Sequence, residues 1–276
     1  MKKRGTRALG LLFNKRAFPK AKRSQVTIFI IAGMIVVVAI SSFLFFRGEA
    51  PIKTGKSPEK NPEAFLSSCI EGKVKEAIGT ISMQGGYIEP ELYKTFRFEG
   101  EDPVNISYLC YTQNYYVPCI NHEPMLMSHL KKEIKNYIAE DMEVCFDELK
   151  NNLEKQNYEV SMDYRGFEVD LISKRVIIKT DSEITLTRTE ESSKKENLEA
   201  NIPSRFYDIA AVVQEILSQE ARFCNFDYLG FMIINPQFNI DRFKTSDLET
   251  IYTVRHENSK EKFRFAVRSC IIPPGL

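Results

Sequence analysis

The residues best placed to do chemistry are six cysteines: Cys69, Cys110, Cys119, Cys145, Cys224 and Cys270. In an oxidising compartment an even number of this kind closes into disulfides, three of them here. The other reading is six buried thiols acting as small hydrophobes. Six cysteines allow fifteen pairings, and the preferred set is Cys69–Cys145, Cys110–Cys119 and Cys224–Cys270. Cys110–Cys119 closes a short aromatic loop. Cys69–Cys145 staples the first helix to the second, because Cys145 lies on the second helix's apolar stripe. Cys224–Cys270 ties the end of a third helix to the last strand, although strand alternation sets Cys270 opposite the face of Phe263, Phe265 and Val267.

Other reactive groups are sparse. Cys110, Cys119, His122 and His129 could offer four metal ligands, but their separations are wider than the Cys-x2–4-Cys and His-x3–5-His spacing of zinc sites. His129 with Glu133 is an i,i+4 contact and not the His-Glu-x-x-His of a metalloprotease. His256 falls in a strand with no Ser and Asp around it, and neither Gly-x-Ser-x-Gly nor a Gly-rich nucleotide loop occurs. No cofactor is implied. Glu140, Asp141, Glu143, Asp147 and Glu148 read as a solvated helix face, since acid/base work would need two carboxylates at a set distance in a cleft. Tyr108, Tyr111, Tyr115 and Tyr116 form the best candidate recognition surface, because tyrosine offers wide contact area and a polar tip. Asn105-Ile106-Ser107 is a possible N-glycosylation sequon.

The elements that must position these groups alternate without a βαβ rhythm, which makes α+β the expected class. A first helix should start at Asn61-Pro62, a capping residue and a proline suited to the first turn. It carries Leu66, Ile70, Val74, Ala77, Ile78 and Ile81 at helical spacing and stops at Gly85-Gly86. A second helix is expected over 124–156, on the stripe Leu126, Leu130, Ile134, Ile138, Met142, Cys145, Leu149 and Leu153. Alternation predicts strands at 94–98, 106–112, 158–164, 167–171, 176–179, 184–188 and 198–202. Turns at Ser173-Lys174 and Asp181-Ser182 suggest an antiparallel meander. A third main helix over 204–223 and a closing hairpin, 250–256 with 262–271, complete the head.

Charge is distributed unevenly. Before residue 26 there are nine basic residues and no acidic one, leaving 29 Lys and Arg against 37 Asp and Glu, a net of about −8 for the remainder. The acidic remainder argues against a nucleic-acid partner. Residues 26–46 (VTIFIIAGMIVVVAISSFLFF) hold no charge and would span roughly 31 Å as a helix, the thickness of a bilayer core. Cations on the N-terminal side keep residues 1–25 in the cytoplasm. The reading is therefore a single-pass anchor in the lipid bilayer, with residues 62–276 outside the cytoplasm. Bulky residues after the apolar run leave no small-x-small cleavage site. Residues 47–61 form a Pro/Gly/Lys stalk, about 20 Å long as a coil and roughly 45 Å extended.

The segment Lys22-Arg23-Ser24-Gln25-Val26-Thr27-Ile28-Phe29 resembles archaeal class III prepilin signals. Phe29 stands where such pilins carry a glutamate, and Gly48, Pro51, Gly55, Pro58 and Pro62 interrupt the long helix a pilin needs. Together with Met83-Gln84-Gly85-Gly86-Tyr87-Ile88 and Phe265-Ala266-Val267-Arg268-Ser269-Cys270, it looks like uncharacterised archaeal membrane-anchored surface proteins. That resemblance covers about a fifth of the chain and implies a surface protein, with no catalytic residues to carry over. The function expected is a disulfide-stabilised extracytoplasmic module binding another envelope protein or glycan. The alternatives are an anchored hydrolase and a pilin-like envelope subunit.

Overall fold

The computed structural model describes residues 61–189 and 191–272, together with Met34. The chain divides into two units, Met1–Gly55 and Lys56–Leu276. The expected cytoplasmic stub lies outside the described residues, as do the expected stalk apart from Asn61 and the expected membrane helix apart from Met34. No helix among the described residues is long and apolar enough to cross a membrane.

The head is mixed α+β. Helix α1 (Pro62–Met83) begins where Asn61 Oδ1 accepts the Ala64 N–H at 2.9 Å, the side-chain cap that satisfies a free helix donor. Its stripe of Leu66, Ile70, Val74, Ala77, Ile78 and Ile81 is buried. The helix ends as the Gly86 N–H reaches back to Ile81 O at 2.7 Å. Gly85, at φ +73°, approaches so closely that a Cβ there would lie 2.9 Å from Ser107 Cβ.

The expected single helix over 124–156 is two: α2 (Leu126–Tyr137) and α3 (Ala139–Glu154). Ile138 breaks them at φ −96°, ψ 4°. No Gly or Pro marks the break, and the apolar stripe, Ile138 included, is buried on both sides of it. Periodicity therefore reads one helix where there are two. Helix α4 (Phe206–Phe223) buries Phe206, Ile209, Val213, Ile216 and Leu217 and stops where Cys224 turns left-handed at φ 56°. A short helix, α5 (Tyr228–Ile234), follows. Five described helices thus stand where three main ones were expected.

The first sheet has the order β1 (Tyr93–Phe96), β2 (Val104–Tyr111), β10 (Lys262–Arg268), β9 (Thr250–His256), β8 (Phe238–Lys244), with β3 (Ile120–Asn121) also on β2. Its pairings are antiparallel except β2 with β10, which run parallel. The sheet is therefore not the simple meander expected. In β10 both faces are buried: Phe263 and Phe265 join the main core, while Ala266 packs with Ile106, Tyr108 and Ile251 on the other side. Burial on both faces erases the alternation that marks a half-exposed strand.

The second sheet is built on a long hairpin, β4 (Glu159–Ile172) and β5 (Arg175–Arg188). Its turn is at Ser173-Lys174, with Lys174 at φ 70°. β6 (Glu191–Glu196) and β7 (Glu199–Pro203) pair with successive stretches of β5. The expected turn at Asp181-Ser182 is strand instead. Asp181 faces Gly166 and Ser182 faces Tyr164, which leaves Arg165 as an extra residue in a β-bulge. Gly166 (φ +135°) supplies the backbone angle. The bulge carries 158–164 into 167–171 as one strand, and of the two polar residues read as a turn Asp181 is an exposed strand position and Ser182 a buried one, its hydroxyl 2.8 Å from Thr180 Oγ1.

Candidate functional site

The three cysteine pairs preferred from sequence are disulfides in the structure. Cys69–Cys145 joins α1 to α3 (Cα–Cα 5.9 Å), Cys110–Cys119 closes the loop after β2 (5.3 Å), and Cys224–Cys270 joins the end of α4 to the residues after β10 (5.7 Å). The alternation problem at Cys270 dissolves because β10 ends at Arg268 and Cys270 itself is left-handed, at φ 43°. With its sulfurs bonded to each other, the Cys110/Cys119 pair offers no thiolates to the neighbouring histidines.

His129 and His256 have structural partners. A carbonyl oxygen only accepts, so His129 Nε2 carries the proton it donates to Gly86 O at 2.8 Å. Glu133 accepts the Ile88 N–H at 2.9 Å, and Tyr87 donates to Glu123 at 2.5 Å. Thus His129 and Glu133 fasten the loop that ends α1 to helix α2. His256 is buried, its Nδ1 accepting the Asn258 N–H at 3.2 Å. The five helix acids, Glu140 through Glu148, lie along α3, where Asp141 sits 3.7 Å from Lys73.

The four tyrosines do not share a surface. Tyr108 is buried and donates to Glu249 at 2.6 Å, and burial, aided by that carboxylate, holds its phenol well above the usual range. Lys94 Nζ reaches the same Glu249 oxygen at 2.7 Å. Arg268 lies 5.7 Å from the Tyr111 ring centre and 5.6 Å from that of Tyr115. Tyr115 and Tyr116 are exposed beside the Cys110–Cys119 link and keep their candidacy as a recognition surface. Asn105 Oδ1 accepts from Thr95 at 2.7 Å, and the sequon's Ser107 is buried, donating to Gln84 O at 2.7 Å. In the folded head both polar ends of the sequon are engaged.

What the sequence did not single out is a groove with a cavity volume of about 740 Å³, inside the roughly 300–1,000 Å³ range of small-molecule sites. Four distant stretches meet there: the C-terminal half of α1, the β4–β5 turn, the link from β7 to α4, and the β9–β10 turn. Its apolar lining is Ile78, Gly79, Met83 and Pro203. Five cations and one carboxylate complete it: Lys75, Lys174, Arg205, Lys260 and Lys262, with Glu261. Both Glu261 oxygens are already occupied, one by Ser204 Oγ at 2.7 Å and the other by the Arg205 N–H at 2.5 Å. Arg205 also lines a second cleft of about 480 Å³, together with Asp208, Glu215 and His256. Asp208 is paired with Arg205 at 3.3 Å. Asp208 and Glu215 are two helical turns apart, about 10.5 Å along the axis. Among the described residues no group of His, Cys, Asp and Glu is arranged to hold a metal ion.

No local motif announces the groove, since its residues come from positions near 79, 174, 204 and 260. The sequence signals available were a glycine inside the α1 stripe and lysines at two turns. The chain matches no family model, no curated protein and no solved structure.

Proposed function

We propose that this chain is a membrane-anchored module whose disulfide-linked head works outside the cytoplasm and binds another component of the envelope, protein or glycan. The groove carries the reading: a concave, partly apolar surface with an excess of cations suits capture of a ligand, and its serine–carboxylate pair, Ser204 with Glu261, is engaged in fixing the start of α4 through the Phe206 and Arg205 N–H groups. Three disulfides, two of them linking distant elements, support an oxidising location. The exposed Tyr115 and Tyr116, held beside a disulfide, supply a second contact surface. The uncharged run at 26–46, preceded by nine cations, supports the anchor and its direction.

The test is made on sealed cells expressing the full chain. Protease added outside should digest the head, and crosslinking from intact envelopes should recover a specific partner. A head protected until lysis would end the external assignment; crosslinking that recovers only abundant background proteins would end the binding role.

An anchored hydrolase is the second reading. It rests on the second cleft, where Asp208, Glu215 and His256 come together. Hydrolysis of surface polymers that disappears in Glu215→Gln would favour it.

A further inference from the structure

The geometry points to a specific ligand class for the groove: a short aliphatic chain bearing an anionic head group, carboxylate or phosphate monoester. This rests on the binding reading above and names the group of the envelope component that would enter the groove.

Three observations carry it. The first is space. Gly79 sits inside α1, where glycine weakens a helix relative to alanine by ~1 kcal/mol. A Cβ built on it meets nothing within 4 Å, so the missing side chain leaves the apolar lining open at that point. The second is charge. Lys75, Arg205 and Lys262 have carboxylate partners in Glu71, Asp208 and Glu101, at 2.5, 3.3 and 3.0 Å. Lys174 and Lys260 are exposed and have no ion pair among the described residues. Glu261, the groove's single acid, accepts from the neutral Ser204 hydroxyl and Arg205 backbone N–H and keeps its charge, which offsets one of these two lysines. A net positive lining with two unengaged ammonium groups favours an anion. The third is an orphan. Ser82 also lines the groove, and its hydroxyl, in a side chain 4% exposed, has no hydrogen-bond partner. Buried polar groups are ordinarily satisfied, and a ligand atom reaching past Gly79 would satisfy this one. A neutral apolar ligand would leave both lysines and Ser82 unanswered. A small hydrophilic anion would make no use of Ile78, Met83 and Pro203.

The experiment uses the full chain in bilayer discs of a zwitterionic lipid, with empty discs as the blank. Octanoate, octyl phosphate and octanol are titrated, and a diazirine-bearing octanoate maps the contact by mass spectrometry. Either anion should bind at least about tenfold more tightly than octanol, as charge-assisted contacts require; the tighter of the two identifies the head group. Photolabel should fall on the 78–83, 203–205 and 258–262 stretches. Lys174→Glu with Lys260→Glu should weaken anion binding by at least about tenfold without lowering the melting temperature. Gly79→Leu should abolish binding by filling the groove, whereas Gly72→Leu, an equally open position on α1 outside the groove, should bind as the wild type does. Equal affinity for octanol, undiminished binding in folded Gly79→Leu, or labelling confined to other surfaces would each overturn the assignment. These measurements on purified protein are independent of the cell-based topology and partner tests, so the two proposals fail separately.

Discussion

Tyr252 donates a 2.5 Å hydrogen bond to Glu220, and both side chains are buried, at 0% and 2% exposure. The pair ties β9 to α4 through the core. Burial raises the Glu220 pKa above its ordinary 4.5, against the hydrogen bond from Tyr252 and the nearby charges of Arg242 and Lys244.

The sign of the resulting pH effect follows. A carboxyl whose folded value is raised stabilises the fold while protonated, and that contribution is lost as pH climbs from about 4.5 through the folded value. Glu220→Gln, which keeps an acceptor for Tyr252, should gain on the wild type in melting temperature between pH 4 and pH 7. A constant difference across that range would show that Glu220 does not titrate there.

Glu101 behaves in the opposite sense. It accepts from Arg264 at 2.7 Å and Lys262 at 3.0 Å, and these two cations pull its pKa down to about 2. A depressed carboxyl contributes stability above its unfolded value that is lost as pH falls from about 4.5 toward 2. Arg264 is buried beneath Phe98, 3.9 Å from the ring centre, so removing its partner leaves a poorly solvated cation. Glu101→Gln should cost about 1–3 kcal/mol at pH 7, less than the roughly 3–5 for a fully buried pair because Glu101 is partly exposed and screened. The deficit should vanish near pH 2. Denaturant titrations at both pH values check this.

The disulfides should rank by the loops they close. Sequence separations of 76, 46 and 9 residues give chain-entropy contributions of about 4.5, 4 and 2.6 kcal/mol. Paired Cys→Ala substitutions should therefore lower the denaturant midpoint most for Cys69/Cys145 and least for Cys110/Cys119. The reverse order would show that loop closure is not the main effect.

Glycine substitutions should divide by backbone angle. Gly72→Ala and Gly79→Ala lie in open helical positions and should each gain about 0.5–1 kcal/mol. Gly85→Ala adds a Cβ 2.9 Å from Ser107 at a left-handed angle and should lose more than about 1 kcal/mol. Thermal melts distinguish the two groups.

What could be read from the chain was what local chemistry dictates. Asn61-Pro62 and Gly85-Gly86 bracketed α1 because caps are local, and the stripe on α4 was plain because one face is buried. Ser173-Lys174 is legible as a turn, whereas Asp181-Ser182 has the polar residues of a turn but lies in β5, with Asp181 exposed and Ser182 buried against Thr180. The parallel pairing of β2 with β10 joins stretches more than 150 residues apart, and no local pattern encodes it. The same holds for the groove, whose lysines look like ordinary solvated residues until α1 and the β9–β10 turn are brought together. Tyr108 is hidden for a related reason: it packs with Ile251 and Ala266, far along the chain.

The Cys69–Cys145 link also has a mechanical meaning. Any pull transmitted through the residues before Asn61 enters the head at the first turn of α1. Eight residues farther on, about 12 Å along the helix, that load meets a covalent bond to α3. Traction applied at Asn61 would unwind about two turns but would not peel α1 off α3, so the head should withstand shear at that end without relying on packing alone.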